Sequence, residues 1–353
     1  MIASTLLSWY DEDHRDLPWR RSPTPWGVWV SEIMAQQTRV ESVIPYWTRF
    51  MARYPTPGEL AAAPLDDLLA LWAGLGYYAR ARNLHKGAGQ VVARHGGVIP
   101  DDPEAFAALA GVGRYTCGAV MSIAFGRQTP VVDGNVIRVL CRLDRVHEDP
   151  RAPATQRRLW SRAGALVPAD RPGDFNQALM ELGATVCTPK SPTCLLCPLQ
   201  PVCAGLAHGE VESLPQKKKA KARRQATLVA ALARDEAGGI WLGRRPAEGL
   251  LGGLWELPMV ALAEGDAPSP EALAPLGLAG VGAAKVITHA FTHLEWTVHT
   301  YSATGRPAGG EYTDFRAVRP SELADAGLTG PALKALRAWQ IEGAPRRRGS
   351  GRH

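Results

Sequence analysis

The spacing of apolar residues changes once along the chain, near residue 205. Before that point it is helical. Residues 2–10 read as a helix, and Val30, Ile33 and Met34 share one face on a 3.6-residue period, with Glu32 well off it and free to point into a cleft. Helical patterns continue from Leu60 to Leu71 and over 83–94, 103–125 and 134–145. No convincing β pattern interrupts them, which predicts an all-helical first domain over 1–205. Periodicity is lost between Leu199 and Pro215, placing a linker at about 206–225. The pattern then turns to short β-rich pieces at 227–233, 240–243, 255–260, 285–288, 295–302 and 312–316, with helical stretches at 270–276 and 330–341. This second part, 226–341, is an α+β domain, and 342–353 reads as a disordered tail.

One stretch, 109–135 (LAGVGRYTCGAVMSIAFGRQTPVVDGN), organises the helical part. Upstream, Asp102-Pro103 supplies an N-cap acceptor and a proline for the first helical position, so a short helix runs to Ala110. Gly111 and Gly113 allow positive φ and a sharp turn, and a second helix follows from Tyr115 to about Phe125. A glycine turn beside a helix N-terminus presents backbone N–H groups to one phosphate, positioning DNA without reading bases. An ordinary helical hairpin has the same signature. Asp133, after Thr129-Pro130-Val131-Val132, either caps the helix from Gly134 to Leu143 or faces a substrate. Thr38 and Glu41 have the spacing of a capping box, which leaves Gln36 and Gln37 in a break between helices where side chains can reach a partner. Between Gly74 and Arg82, glycine permits close backbone approach, tyrosine can wedge into or stack on bases, and arginine pairs with phosphate. A plain turn carrying surface arginines would read alike.

Composition narrows the class. At 353 residues two domains are the natural expectation, and 46% hydrophobic residues suffice for real cores. The net charge of +6 suits a polyanionic partner, and it is concentrated at Lys217 to Arg224 and at Arg346-Arg347-Arg348, runs that add salt-dependent affinity on DNA or serve as solvated linkers. Residues 1–10 are amphipathic and lead into Asp11-Glu12-Asp13-His14-Arg15, unlike a signal peptide, and no apolar stretch spans a membrane, so a cytoplasmic location is expected. Four of the six cysteines, Cys187, Cys194, Cys197 and Cys203, form C-x6-C-x2-C-x5-C. In a reducing compartment such a set binds a metal or cluster in preference to forming disulfides, and the spacing serves zinc or iron-sulfur equally.

Taken together, these residues resemble the MutY family of adenine DNA glycosylases in the helix-hairpin-helix superfamily. The motifs are Leu17-Pro-Trp-Arg20, Val30-Ser-Glu-Ile-Met-Ala-Gln-Gln-Thr38, Gly74-Leu-Gly-Tyr-Tyr-Ala-Arg80, Leu109-Ala-Gly-Val-Gly-Arg-Tyr-Thr116, Val132-Asp-Gly-Asn-Val136, Asp174-Phe-Asn-Gln-Ala178 and the cysteine set, in order over nearly the whole chain. The resemblance implies a six-helix module at about 21–133, an N-terminal helix with an iron-sulfur module at about 134–205, and a [4Fe-4S] cluster on the four cysteines. It implies a monomeric enzyme, nucleoid-associated in the cytoplasm, whose partner is duplex DNA carrying adenine opposite 8-oxoguanine or guanine. A sliding clamp or mismatch-repair protein docking on the linker is a further possible partner.

An N-glycosidic bond to adenine breaks readily only when a ring nitrogen is protonated and the cationic sugar is met by an anion. The resemblance implies that Glu32 is the acid at N7 and Asp133 the group that stabilises or captures the sugar, with Tyr115 and Asn135 in support. Glu32 should have a raised pKa and Asp133 should stay ionised. Adenine must be flipped out, with Gln37 and Tyr77 filling the gap, and Arg20, Gln36, Leu75, Arg80, Gly111 and Gly113 complete the implied DNA contacts. Endonuclease III-type relatives have a nucleophilic lysine where this chain has Tyr115, so a monofunctional glycosylase is expected. The second domain resembles the MutT-like, Nudix-fold domain of the family. Gly252-Gly-Leu-Trp-Glu-Leu-Pro258 matches the start of a Nudix box, but its later carboxylates are missing, which leaves no cage for Mg²⁺. A lesion-reading loop is implied at Phe291-Thr292-His293, with threonine in place of serine, and Ala110 stands in place of the hairpin proline, which should slightly loosen the turn. The rivals are a bifunctional pyrimidine-lesion enzyme, a catalytically silent DNA-binding protein, and a pyrophosphatase fused to a DNA-binding domain.

Overall fold

The computed structural model describes residues 2–216 and 222–344. Most of the basic run, 217–221, and the arginines at 346–348 in the tail lie outside the described residues. The chain divides into two compact units, residues 1–63 with 83–219, and residues 64–82 with 220–353.

The first unit is helical. Helix Pro25–Ala35 starts on Thr24, whose side chain accepts from the Gly27 N–H, and every residue from Trp26 to Met34 is buried. The expected single apolar face is therefore corrected. A helix enclosed on all sides has no solvent face, so Glu32, off the Val30-Ile33-Met34 face, is buried as well. The capping box expected at Thr38 and Glu41 does not form either. Gln37 takes a left-handed φ of 55°, the Thr38 hydroxyl donates back to the Gln36 carbonyl, and helix Val40–Arg53 begins after Arg39 with no side-chain cap.

A second core joins helices Ile2–Asp13, Gly134–Leu143 and Pro172–Thr185 through Leu6, Tyr10, Val136, Leu140, Phe175 and Leu182. Helix Gly134–Leu143 concentrates its apolar residues on the buried side, and its N-cap is Asp133. In the hairpin, helix Pro103–Ala107 is capped by Asp102 and helix Arg114–Phe125 follows an extended Gly113. Only Gly111 is left-handed, at φ 78°, whereas Gly113 has φ −95°. One glycine of the pair, not both, supplies the turn.

Among its described residues the second unit holds seven strands: β1 Arg224–Ala233, β2 Ile240–Arg244, β3 Trp255–Glu256, β4 Met259–Ala261, β5 Ala279–Ala290, β6 Leu294–Thr304 and β7 Asp314–Val318. They form sheets β4-β1-β6-β5 and β3-β2-β7. The stretch expected as one strand at 255–260 is two, broken at Leu257-Pro258, and each half joins a different sheet. Proline offers no ladder N–H, which favours the switch there. Along β1, Leu228, Ala230 and Leu232 enter one core while Val229, Ala231 and Ala233 enter another. A strand covered on both faces has no polar alternation to read.

Candidate active site

Asp133 holds its place through two acceptor oxygens. Oδ1 accepts from the Val136 N–H at 2.7 Å, capping the helix, and Oδ2 accepts from Asn135 Nδ2 at 2.9 Å. The strand-like run into Asp133 is fixed from behind. Asn176 Nδ2 donates to Ser122 Oγ at 2.8 Å and to the Thr129 carbonyl at 2.7 Å. Gly118 faces the Pro130 carbonyl so closely that a Cβ there would lie 2.2 Å from the oxygen. Gly118→Ala should therefore push this run outward and cost about 1–3 kcal/mol, read as a lower Tm together with slower excision.

Tyr115, on the second helix of the hairpin, donates its hydroxyl to Glu32 Oε2 at 2.5 Å and also reaches Met180 Sδ at 3.2 Å. Burial pushes the Glu32 carboxyl up to about 7, and the Asp133 charge adds to this, while the Tyr115 hydrogen bond and Arg20 pull the other way. Asp133 is also raised by burial, opposed by the Val136 amide, by Asn135 and by the Arg138 charge. Burial and both carboxylates raise Tyr115 well above its ordinary value, so it stays a neutral donor. Each carboxylate is thus felt by the same tyrosine. Glu32 shares one pocket with Tyr115, 83 residues further on, and with the Asp133–Asn135 pair.

Helix Gly134–Leu143 continues from this pocket to the cysteines. Arg138 donates to Asn135 Oδ1 at 2.8 Å and to the carbonyls of Gly183 and Cys187 at 2.6 Å each. One turn on, buried Arg142 donates to Cys187 Sγ at 3.3 Å, to the Thr188 carbonyl at 2.8 Å and to the Leu214 carbonyl at 3.0 Å. Cys187, Cys194, Cys197 and Cys203 line one cavity with Arg142, Val186 and Leu206, and none is in a disulfide. Among the described residues no group of three or more His, Cys, Asp or Glu is placed to hold a metal ion. The sulfurs ring a space and do not converge on a point. Sequence reasoning missed both arginines, because an arginine in an amphipathic helix carries no mark of what it grips, and it gave Asn176 no role beyond its place in the Asp174–Ala178 motif.

Three of the expected DNA contacts are engaged within the protein. Arg20 is committed to Glu181 at 2.8 Å, and Arg15 pairs with the same carboxylate at 2.6 Å. Burial would raise Glu181, but the two arginines outweigh it and hold it below its usual range. Leu75 is buried, and buried Arg80 donates to the carbonyls of Leu75 and Gly76 beneath the Tyr77 ring. These residues shape the interior and the 74–78 turn, since a guanidinium already spent on carbonyls or a carboxylate has no free fork for phosphate.

The remaining sites are better exposed. Gln36 is half-buried, with Nε2 3.4 Å from Thr116 Oγ1. Gln37 and Tyr77 project to solvent from left-handed backbone, at φ 55° and 50°. Gly111 makes the hairpin turn, and the helix from Arg114 has no side-chain cap at the extended Gly113, which leaves its first-turn N–H groups for an external acceptor. In the second unit the Phe291 N–H closes the β5–β6 turn on the Leu294 carbonyl, and its ring packs against His289 and Trp296. Thr292 and His293 are exposed at the tip, and the Thr292 and Tyr77 hydroxyls, both in this unit, lie 3.4 Å apart. Glu256 of the Nudix-box start is buried, paired with Arg245 at 2.7 Å and accepting from the Tyr312 hydroxyl at 3.1 Å.

Comparison with known proteins agrees with both units. The HhH-GPD superfamily base excision DNA repair protein family matches residues 30–164, and the NUDIX domain family matches residues 229–338. Adenine DNA glycosylase from Rattus norvegicus is 37% identical, over 95% of this chain and 77% of its own length. The Homo sapiens protein of that name is 39% identical, over 85% of this chain and 66% of its own. Among solved structures, a thermostable thymine-DNA glycosylase is 31% identical with a TM-score of 0.55, covering 59% of this chain and 95% of its own. A non-covalent endonuclease III-DNA complex, 24% identical with a TM-score of 0.51 over 59% of this chain and 94% of its own, shares the fold.

Proposed function

The chain belongs to the adenine DNA glycosylases of base excision repair, and from that premise we propose that it removes adenine paired with 8-oxoguanine, and with guanine, through acid catalysis by Glu32. The observation that carries this reading is the pairing of a buried carboxyl with a half-buried one of different character. Glu32 has a pKa near 7 and a tyrosine donor, and Asp133 is held by a helix N-terminus and an arginine-braced asparagine.

The chemistry follows from that difference. Adenine extruded from the duplex enters the pocket, where protonated Glu32 donates to N7 and the C1′–N9 bond breaks. The developing oxocarbenium charge is met by ionised Asp133, which stabilises the sugar or captures it until water completes the hydrolysis. Tyr115 orients the acid, and Asn135, gripped by Arg138, orients Oδ2 of Asp133. The hairpin amides take one backbone phosphate, Gln37 and Tyr77 fill the vacated stack, and Thr292 and His293 face the opposite base. Tyr115 has no amine, so no Schiff base forms with the sugar. Borohydride should trap no efficient covalent complex on adenine-containing duplex, and gel mobility under reducing conditions checks this.

The four cysteines are assigned to a [4Fe-4S] cluster. Their support is an apolar cavity ringed by four free thiols and an arginine N–H aimed at one sulfur, a spread that suits a cluster better than one zinc ion. The cluster would supply cross-linking of the 187–203 loops and no reaction step. Cys197→Ser should lower bound iron and the broad visible absorbance near 400 nm, and should reduce DNA affinity more than the single-turnover rate.

The deciding experiment incubates duplexes carrying adenine opposite 8-oxoguanine, guanine or thymine, and scores abasic sites before and after mild alkali. Cleavage after alkali only, fastest opposite 8-oxoguanine and absent opposite thymine, is expected. Equal rates on all three duplexes would refute the lesion-reading part.

A further inference from the structure

The hairpin turn rests on one face of the helix that packs under it. In helix Ala79–His95, positions 83, 87 and 90 lie on the same side. A Cβ on Gly111 would lie 2.6 Å from Asn83 Cβ. A Cβ on Gly87 would lie 3.1 Å from the Ala110 carbonyl and 2.9 Å from the Trp29 ring. Gln90 Oε1 accepts from the Ala110 N–H at 2.7 Å. Ala110 is therefore held on both sides of its Cα, its carbonyl lying over Gly87 and its amide gripped by Gln90. The next residue, Gly111, is the left-handed one that reverses the chain toward the uncapped helix N-terminus.

We propose that Gln90 is a positioning residue for DNA binding, acting through the Ala110 N–H to set the direction in which the hairpin presents its phosphate-facing amides. The proposal rests on the reading of the hairpin as a phosphate site. A proline at position 110 would restrict the turn through its ring and would offer no N–H. Alanine leaves the unfolded chain freer, and the turn needs another restraint in the folded state. The 2.7 Å bond supplies it from a helix twenty residues upstream. It is a side-chain acceptor on a half-buried backbone donor, and removing the acceptor strands that donor. The expected loosening of the turn at Ala110 is thereby offset by a contact that local sequence cannot show.

The test is a double-mutant cycle on the full-length protein. The probe is a duplex carrying a tetrahydrofuran abasic-site analogue opposite 8-oxoguanine. Gln90→Met keeps the side-chain length and removes the acceptor. It should raise Kd by roughly five- to tenfold, with the single-turnover excision rate at saturating DNA changed less than twofold. In an Ala110→Pro background, where no N–H remains, Gln90→Met should change Kd by less than twofold. In the free protein the Ala110 amide should exchange slowly in the parent and in Gln90→Glu, which retains an acceptor, and faster in Gln90→Met. An equal loss of affinity in both backgrounds, an unchanged Kd for Gln90→Met, or an Ala110 amide indifferent to Gln90 would overturn the proposal. Should Ala110→Pro fail to fold, the exchange measurement decides alone. A parent that holds the exchange pattern but excises no adenine would refute the functional reading and leave the clamp standing.

Discussion

Glutamine in place of Glu32 is expected to reduce single-turnover adenine excision by about 10²–10⁴-fold, the usual worth of a positioned general acid, while making the protein more stable. The two signs have one cause. Glutamine keeps an acceptor for the Tyr115 hydroxyl, so the geometry at 2.5 Å is preserved and only the proton is lost. Burial has raised the Glu32 carboxyl from 4.5 to about 7. Between those values the folded state holds a proton that the unfolded state has released, so stability falls as pH rises through this window and is flat above it. The penalty above pH 7 is of the order of 3 kcal/mol. Glu32→Gln removes it, and at pH 8 the Tm should rise by about 2–4 °C per kcal/mol for a unit of this size. The parent's excision rate should decline as pH rises through 7, where the acid ionises, and the residual rate of the variant should lack that step. A variant within tenfold of the parent, or one that keeps the step, would remove Glu32 from the reaction.

What could be read from the residues alone, and what could not, divides along the range of the interactions. Local rules placed Asp102 and Asp133 as caps and set a sharp turn at Gly111, because an N-cap or a left-handed glycine is decided by its immediate neighbours. Two capping residues, Thr38 and Glu41, were readable as a box and failed because the left-handed Gln37 moved the helix start past Thr38. The change from helical to β-rich pattern near 205 likewise separates a helical unit from a sheet-bearing one, although 64–82 clusters with the latter. Long-range pairing was invisible. Arg20 and Arg80 look like phosphate ligands in a linear motif, yet Arg20 is claimed by Glu181, 161 residues away, and Arg80 by carbonyls of its own turn. Arg138 and Arg142 are the converse. They are unmarked in sequence, but they join the pocket to the cysteine cavity in two turns of helix.

Asparagine in place of Asp133 separates the two roles open to that carboxylate. Asparagine caps a helix about as well as aspartate, so the bond from the Val136 N–H survives and helix Gly134–Leu143 keeps its start. The other oxygen becomes an NH₂ facing Asn135 Nδ2, donor against donor. Asn135 cannot turn over to accept without giving up the Arg138 bond to its Oδ1. A stability loss of about 1 kcal/mol is therefore expected. Excision should fall far more, by about 10²–10³-fold, because no anion then meets the sugar charge, and preorganised charge at a reacting centre is worth about that much. Asp133→Ser, which caps through its hydroxyl and sets no second donor against Asn135, should match that loss of rate with less loss of Tm. Were Asp133 only a cap, both variants would retain a rate within a few-fold of the parent and differ only in Tm, and a single-turnover assay on the A:8-oxoguanine duplex beside a melting curve tells the two apart.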